Sequence, residues 1–260
     1  MTASMVMPEQ ARIAQRFGDA AHAYDAEALA QRHSAAALLT GIRAKGRALD
    51  VGCGTGWLAG QLAAQPEVTE VLALDIARPM LQSAVRMHPS LRCIQADAAA
   101  MPVASGSIDL LVSNFALQWL SSPDRFASEL YRVLAAQGCF RLAVPVAGTL
   151  GELSAAWERV EENPPINRFL SSGAWAETLL RHNLKIQTQA VTPLFQYYPT
   201  VRELLRAFKR IGANETLSPR RSGMWGKGKL QALESAMEPY RTPAGLPLRY
   251  DVLLITGYKP

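Results

Sequence analysis

No run of apolar side chains in this 260-residue sequence is longer than the five from Ala35 to Leu39, far short of the roughly 18 to 20 that a membrane helix needs. A membrane-spanning reading is therefore set aside, and a soluble chain is expected. Cysteine is scarce: Cys53, Cys93 and Cys139 make an odd number with no CxxC pair, which supports neither a disulfide framework nor a cysteine metal site. No bound metal is expected. The stretch Met1 to Gln10 lacks the charged and apolar regions of a secretory leader, and the Arg residues after it are mixed with acids, unlike a transit peptide. A cytoplasmic address is the expectation. What the chain does have is 49% hydrophobic residues at a mean hydropathy of +0.01, enough for the full core of one domain spanning 1–260.

From Gln10 to Leu39 the composition is helical, rich in Ala, Leu, Gln and Arg, with a break expected around Gly18 and Asp19. Residues 1–41 are thus read as N-terminal helices. After Gly41 short apolar runs alternate with helical stretches, the pattern of a parallel sheet with crossover helices. Strands are expected at Ala48–Val51, Val71–Asp75, Leu91–Gln95, Ile108–Asn114 and Cys139–Val144, with helices near Trp57–Gln65, Arg78–Met87 and Pro123–Leu134. These make residues 42–147 a doubly wound α/β core, Rossmann-like and mostly parallel, whose ligands belong at the carboxyl ends of the strands. Two Pro- and Gly-interrupted helical excursions, Thr149 to Phe169 and Pro199 to Pro243, are read as cap insertions at 148–170 and 199–245. Segments Leu184–Tyr198 and Leu248–Tyr258 are β-like and would complete the sheet as its last pair.

The sharpest feature is Leu49-Asp50-Val51-Gly52-Cys53-Gly54-Thr55-Gly56. Glycine at three alternate positions between a strand and a helix lets the backbone turn tightly and approach a ligand. A dinucleotide loop reads GxGxxG with a pyrophosphate at the helix amino end. This loop reads GxGxG behind an acid, Asp50, which would repel phosphate and could accept from an ammonium group. The second strand ends in Asp75, nineteen residues beyond Gly56, where a carboxylate can take both hydroxyls of a ribose. The third leads to Asp97, which can accept from an adenine amino group. A cationic amino acid, a ribose and an adenine add up to S-adenosylmethionine. The competing reading of each carboxylate is a helix cap or a surface charge. Cys53 is read as inert, having no nearby base to form a thiolate.

On LDVGCGTG the sequence resembles the class I S-adenosylmethionine-dependent methyltransferases. The resemblance implies that Gly52, Gly54 and Gly56 line the methionine portion of the cofactor, Asp75 the ribose, and Asp97 with Ala98 the adenine, with Asp50, Ile76 and Met80 also binding the cofactor. It further implies that Gln31, Asn114 and Leu117 complete the pocket. Outside the loop, the stretch Phe17-Gly18-Asp19-Ala20-Ala21-His22-Ala23-Tyr24-Asp25 followed by Gln31, the stretch Gly148 to Leu153, the stretch Phe208 to Ala213 and the stretch Leu248-Arg249-Tyr250-Asp251-Val252 narrow it. These stations, spread over the whole chain, are similar to malonyl-acyl-carrier-protein O-methyltransferases of biotin synthesis. One departure is Pro165-Ile166-Asn167-Arg168-Phe169, where the family often has His-x-Asn-x-Phe.

What the resemblance implies is methyl transfer to the free carboxylate of a malonyl thioester, the ester then priming pimeloyl synthesis. A carboxylate is ionised near neutral pH and needs no general base. None is offered persuasively, since His22, His33, His88 and His182 are scattered. The task is then positioning, for which Tyr24, Gln118 and Trp119 are candidates, with Lys209 and Arg210 also on the substrate side. Core packing is the competing reading for the aromatic residues, and a solvated helix face for the basic ones. Two other functions stay open: methylation of another small carboxylic acid of the aconitate type, and a non-catalytic cofactor-binding subunit.

The chain carries 27 Lys and Arg against 22 Asp and Glu. Between Pro199 and Leu230 stand eight basic residues and only two acids, so the surplus is confined to one insertion, including Arg220 and Arg221. An acidic acyl carrier protein loaded with malonyl is the partner this suits; neither nucleic acid nor a membrane is expected.

Overall fold

The computed structural model describes residues 9–22, 24–162, 167–210 and 227–260. Helices α1 (Glu9–Ala20), α2 (Tyr24–Glu27) and α3 (Leu29–Leu39) lead into strand β1 (Gly46–Val51), α4 (Trp57–Ala63), β2 (Val68–Asp75), α5 (Arg78–Met87), β3 (Arg92–Gln95), β4 (Ile108–Asn114), α6 (Pro123–Val133) and β5 (Leu134–Pro145). After them come α7 (Gly151–Glu158), α8 (Ser172–Arg181), β6 (Lys185–Tyr198), α9 (Val201–Arg210), α10 (Lys227–Met237) and β7 (Leu246–Tyr258). The β3-to-β4 connection contains no helix.

The seven strands form one sheet in the order β3-β2-β1-β4-β5-β7-β6. Strands β1 to β5 pair in parallel, while β7 is antiparallel to both β5 and β6. The central strands are buried on both faces, Ala48, Leu49 and Val51 in β1 and Leu111 and Val112 in β4 being fully enclosed. That is why they read as apolar runs and not as alternating patterns. Strand order reverses between β1 and β4, so their carboxyl ends diverge and leave a crevice there.

Besides shifts of one to three residues at element ends, as in β1, β2, β3 and α4, two departures from the sequence expectation have a structural cause. Helix α1 runs straight through Gly18 and Asp19, and the break falls just after it. A glycine inside a helix costs about 1 kcal/mol, but a Cβ at Gly18 would sit 3.1 Å from Pro79 Cγ, so its absence lets α1 lie closely against α5. Strand β5 starts at Leu134, directly after α6, with Gln137 at φ 63° bending it before the expected start at Cys139.

Helix α3 is fastened to the sheet at both ends. Asn114 at the tip of β4 donates from Nδ2 to the Gln31 carbonyl at 2.9 Å and accepts at Oδ1 from the buried Ser34 hydroxyl. At the other end Arg141 of β5 donates to the carbonyls of Leu38 and Thr40, each at 2.9 Å. Helix α10 packs on both α7 and α9, which in turn pack against β7 and β6 respectively. Among the described residues, no helix is long and apolar enough to cross a membrane.

Candidate active site

The glycine loop turns because its residues adopt φ values that side chains avoid: +72° at Gly52, +54° at Gly54 and +87° at Gly56. At Gly52 space is also limiting, since a Cβ would stand 2.1 Å from that of Ala116. Gly56 caps the amino end of α4, and a Cβ there would meet Ala84 at 2.8 Å. It serves the packing of α4 on α5 and does not line the cleft described below. Gly54 is open on its ligand side, with the ring of Tyr24 3.8 Å from where a Cβ would be.

Asp75 binds the loop to the next strand. Its Oδ2 accepts from the Gly54 amide at 2.9 Å and its Oδ1 from the Ala77 amide at 2.8 Å. These bonds aim the carboxylate and leave a lone pair on each oxygen for a ligand. Burial still pushes its pKa up, the amide bonds offsetting only part of the rise. Asp50 is more deeply enclosed, 1% exposed, and its Oδ2 has no hydrogen-bond partner. Burial, with the neighbouring Asp75 charge, pushes it up to about 7. Asp97 caps the following turn by accepting from the Ala99 amide at 2.8 Å, so the capping role and an open second oxygen coexist.

A cleft with about 100 Å³ of internal free volume opens at the switch between β1 and β4, where ligands of such sheets bind. It brings together Tyr24, Gly52, Gly54, Asp75, Ile76, Met80, Asp97, Ala98, Asn114, Leu117 and Trp119 from the sequence-derived set. A second compartment shares Tyr24, Gly52, Gly54 and Asn114 with it and adds Gln31 and Asp50. Gln118 lines neither; its Oε1 is buried without a partner. Arg210 is exposed on α9 and lines neither compartment, and the side chain of Lys209 falls outside those described. Arg220, Arg221 and Pro165 fall outside the described residues.

The sequence reading missed the wall that α1 provides. Gln10, Ile13 and Phe17 line the cleft, and their spacing of three and four residues puts them on one helix face, a signal that was available. Phe17 meets Trp119 edge-on with centroids 5.5 Å apart, and Gln10 donates to the Ser121 hydroxyl at 3.3 Å. Below them Thr55 of the glycine loop donates to Asp25 at 2.7 Å, holding α2 over the loop. Burial, then the charges of Asp75 and Asp25, raises the Tyr24 hydroxyl well above its ordinary pKa, so it stays protonated and can donate.

S-adenosylmethionine fits these residues. The unpartnered Asp50 oxygen suits an ammonium group, the open face of Gly54 admits close approach, and the doubly held Asp75 suits vicinal hydroxyls. Four carboxylates, Asp25, Asp50, Asp75 and Asp97, line the two compartments against one described cation, Arg32. Such a balance favours a ligand bearing positive charge over a pyrophosphate.

A family model described as a methyltransferase domain matches residues 49–142. The chain is 34% identical over 256 residues to the biotin biosynthesis bifunctional protein BioHC of Cellvibrio japonicus (strain Ueda107), covering 97% of this chain but 51% of that protein; it thus spans about half the length of that bifunctional relative. It is 31% identical over 273 residues to the malonyl-[acyl-carrier protein] O-methyltransferase of Methylovorus sp. (strain MP688), covering 100% of this chain and 92% of the relative. Among solved structures, a putative methyltransferase from Bacillus halodurans C-125 superposes with a TM-score of 0.65 at 20% identity, covering 87% of this chain and 98% of that one, a likeness of fold. The chain therefore belongs to the malonyl-[acyl-carrier protein] O-methyltransferase family and is an S-adenosylmethionine-dependent methyltransferase.

Proposed function

We propose that this enzyme methylates the free carboxylate of a malonyl thioester held on an acyl carrier protein, giving the malonyl methyl ester that starts pimeloyl synthesis in biotin formation. The observation that carries the reading is near full-length similarity to a relative of that name, on a chain whose cleft offers neutral donors, Tyr24 foremost, beside the cofactor-binding loop. Its place would be the cytoplasm, where carrier-bound thioesters are made.

In this reading Asp50 takes the ammonium of the cofactor, Asp75 the ribose, and Asp97 with Ala98 the adenine edge. Gly52 and Gly54 allow close approach, while Ile76, Met80 and Leu117 supply apolar walls and Gln31 and Asn114 close the methionine end. Bound S-adenosylmethionine supplies an electrophilic methyl group on a sulfonium. The protein's own work is to hold the acceptor oxygen in line, where a near-attack distance is about 3 to 3.5 Å, and to exclude water. Phe17 and Trp119 form an apolar wall for that purpose. No histidine lines either compartment: His88 packs beneath Gly60, His182 lies 3.3 Å from Asp124, and His22 and His33 are exposed. An ionised carboxylate requires none.

We read 1–41 as N-terminal helices over the cofactor, 42–147 as the cofactor-binding core, and 148–170 and 199–245 as a helical cap. Packing of α10 on both α7 and α9 supports the cap. The basic surplus lies in its second part, and an acidic carrier would be drawn to it. Some of that charge is neutralised internally, by Arg202 with Glu234 at 3.3 Å and Lys229 with Glu161 at 2.9 Å. Arg206 is exposed and forms no ion pair with any described residue.

The test is incubation with S-adenosylmethionine and malonyl-loaded carrier protein, followed by mass spectrometry. A methyl gain on the malonyl group is expected. No gain there, with methylation of a free tricarboxylic acid, would reassign the acceptor.

A further inference from the structure

An acceptor carboxylate entering this cleft meets a difficulty. The described lining of the two compartments presents Asp25, Asp50, Asp75 and Asp97, and its one cation, Arg32, already stands 3.9 Å from Asp25. Burying an anion without partners is costly, so among the described residues uncharged donors are the ones placed to receive it. Tyr24 is one. The last strand places a second phenol nearby, at a position that the sequence reading quoted only as part of a motif.

Tyr250 stands on β7 two residues from Val252, the residue paired with Pro145 at the end of β5. It therefore lies just beyond the carboxyl edge of the sheet; it is not itself on the lining of either compartment, and meets the cleft through Phe115. It is 5% exposed, and its ring meets Phe115 edge-on with centroids 5.6 Å apart. Phe115 itself walls the cleft and is held at a left-handed φ of 55°, its amide donating to the Ala143 carbonyl at 2.9 Å. A bulky residue keeps such a backbone only when its surroundings impose it. Among the described residues, no hydrogen bond is made by the hydroxyl of Tyr250 or by that of Tyr24. The two phenols are near enough to act on one another electrostatically, Tyr198 being the third of the group. Tyr198 donates to Gln196 at 3.0 Å and so is already engaged.

We infer that Tyr250 is a substrate-binding residue, its hydroxyl receiving the acceptor's carboxylate together with that of Tyr24. The inference rests on the reading that the acceptor is a carboxylic acid. Phenols suit the task better than a guanidinium would. Each donates one hydrogen bond without supplying a full positive charge, so less electron density is drawn from the carboxylate oxygens and lone pairs stay free for the methyl group. Burial, the first cause, and the neighbouring phenols raise the Tyr250 hydroxyl above its ordinary pKa, so it too remains a donor at neutral pH.

The substitution Tyr250→Phe removes the hydroxyl and keeps the ring against Phe115. With enzyme saturated by S-adenosylhomocysteine, calorimetry should show the Kd for malonyl-loaded carrier protein rising on the order of ten- to a hundredfold, the range for losing a hydrogen bond to a charged group. The Kd for carrier protein bearing the methyl ester, which has no carboxylate, should hold steady, as should the Kd for S-adenosylhomocysteine and the Tm. Tyr24→Phe should show the same selectivity. An unchanged Kd for the malonyl form, or an equal loss for the malonyl and ester forms, would overturn the assignment of Tyr250 while leaving the carboxylate reading standing. If wild-type enzyme binds malonyl-loaded and unloaded carrier equally, the carboxylate reading fails, and the assignment with it.

Discussion

The backbone amide of Gly54 donates to Asp75 Oδ2 at 2.9 Å, joining the loop after β1 to the end of β2. Two motifs separated by a helix and a strand thereby become one rigid surface. The carboxylate is aimed before any ligand arrives, which lowers the ordering cost of binding.

Replacing Asp75 by Ala should remove charge-assisted hydrogen bonds worth about 1.5–3 kcal/mol to the cofactor, a rise in Kd on the order of ten- to a hundredfold. Calorimetry with S-adenosylmethionine checks it, and an unchanged Kd would sink the ribose assignment.

Asp50 gives the cofactor-free protein a pH signature. Its pKa is raised in the folded state from 3.8 to about 7, so between those values the native protein holds more protons than the unfolded chain. Stability should therefore fall as pH rises from about 4 through about 7. Asp75, also raised, acts in the same direction. The carboxyls held low, Glu70 and Glu129, change their contribution only in the acid range below 4.5. Urea titrations at pH 5 and pH 8 should show the difference, and Asp50→Asn should shrink it. Equal stabilities in the wild type would contradict the enclosure of Asp50.

Two glycines separate backbone strain from lack of room. Gly41 has φ +65° with nothing within 4 Å of a built Cβ, so Gly41→Ala should cost only the left-handed penalty of about 1–2 kcal/mol. Gly52→Ala adds a 2.1 Å clash with Ala116 and should cost clearly more, with loss of cofactor binding. Comparable denaturation midpoints would refute the close approach.

Ser34→Ala leaves Asn114 Oδ1 without its donor inside the α3–β4 junction. A buried group left unsatisfied costs about 1–3 kcal/mol, and Tm should fall accordingly. The Km for S-adenosylmethionine should rise more than kcat falls, because Asn114 lines both compartments. Restoration by Ser34→Thr would tie the effect to the hydroxyl; equal changes in both constants would not.

Charge reversal at Arg206, and at the Arg220–Arg221 pair, should raise the Km for malonyl-loaded carrier protein and make it less sensitive to salt. Steady-state kinetics at two ionic strengths decide this. An unchanged Km would make the basic insertion an ordinary solvated surface.

How much was legible in the chain varies with how local the cause is. Strand β4 and helix α5 have the bounds expected, because an apolar run ending at Asn114 and a Pro-led helix are local signals. Helix α1 was mistaken at Gly18, since propensity is local while the contact with Pro79 is not. Gln10, Ile13 and Phe17 carried a helical period, yet nothing in it says what that face covers. Gly56 was grouped with its neighbours by spacing alone, whereas contact with Ala84 gives it a different task.

By itself the sequence determined the α/β core, the glycine loop with its acids at strand ends, and hence the kind of cofactor. Those features depend on backbone freedom, burial period and charge within a few residues. Only the tertiary structure decided that Asp50 Oδ2 is sealed without a partner, that Asp75 is gripped by two amides, and that Tyr250 packs against Phe115, a wall of the cleft. Each of these depends on groups brought together from distant parts of the chain, where sheet order and close packing set both distance and dielectric.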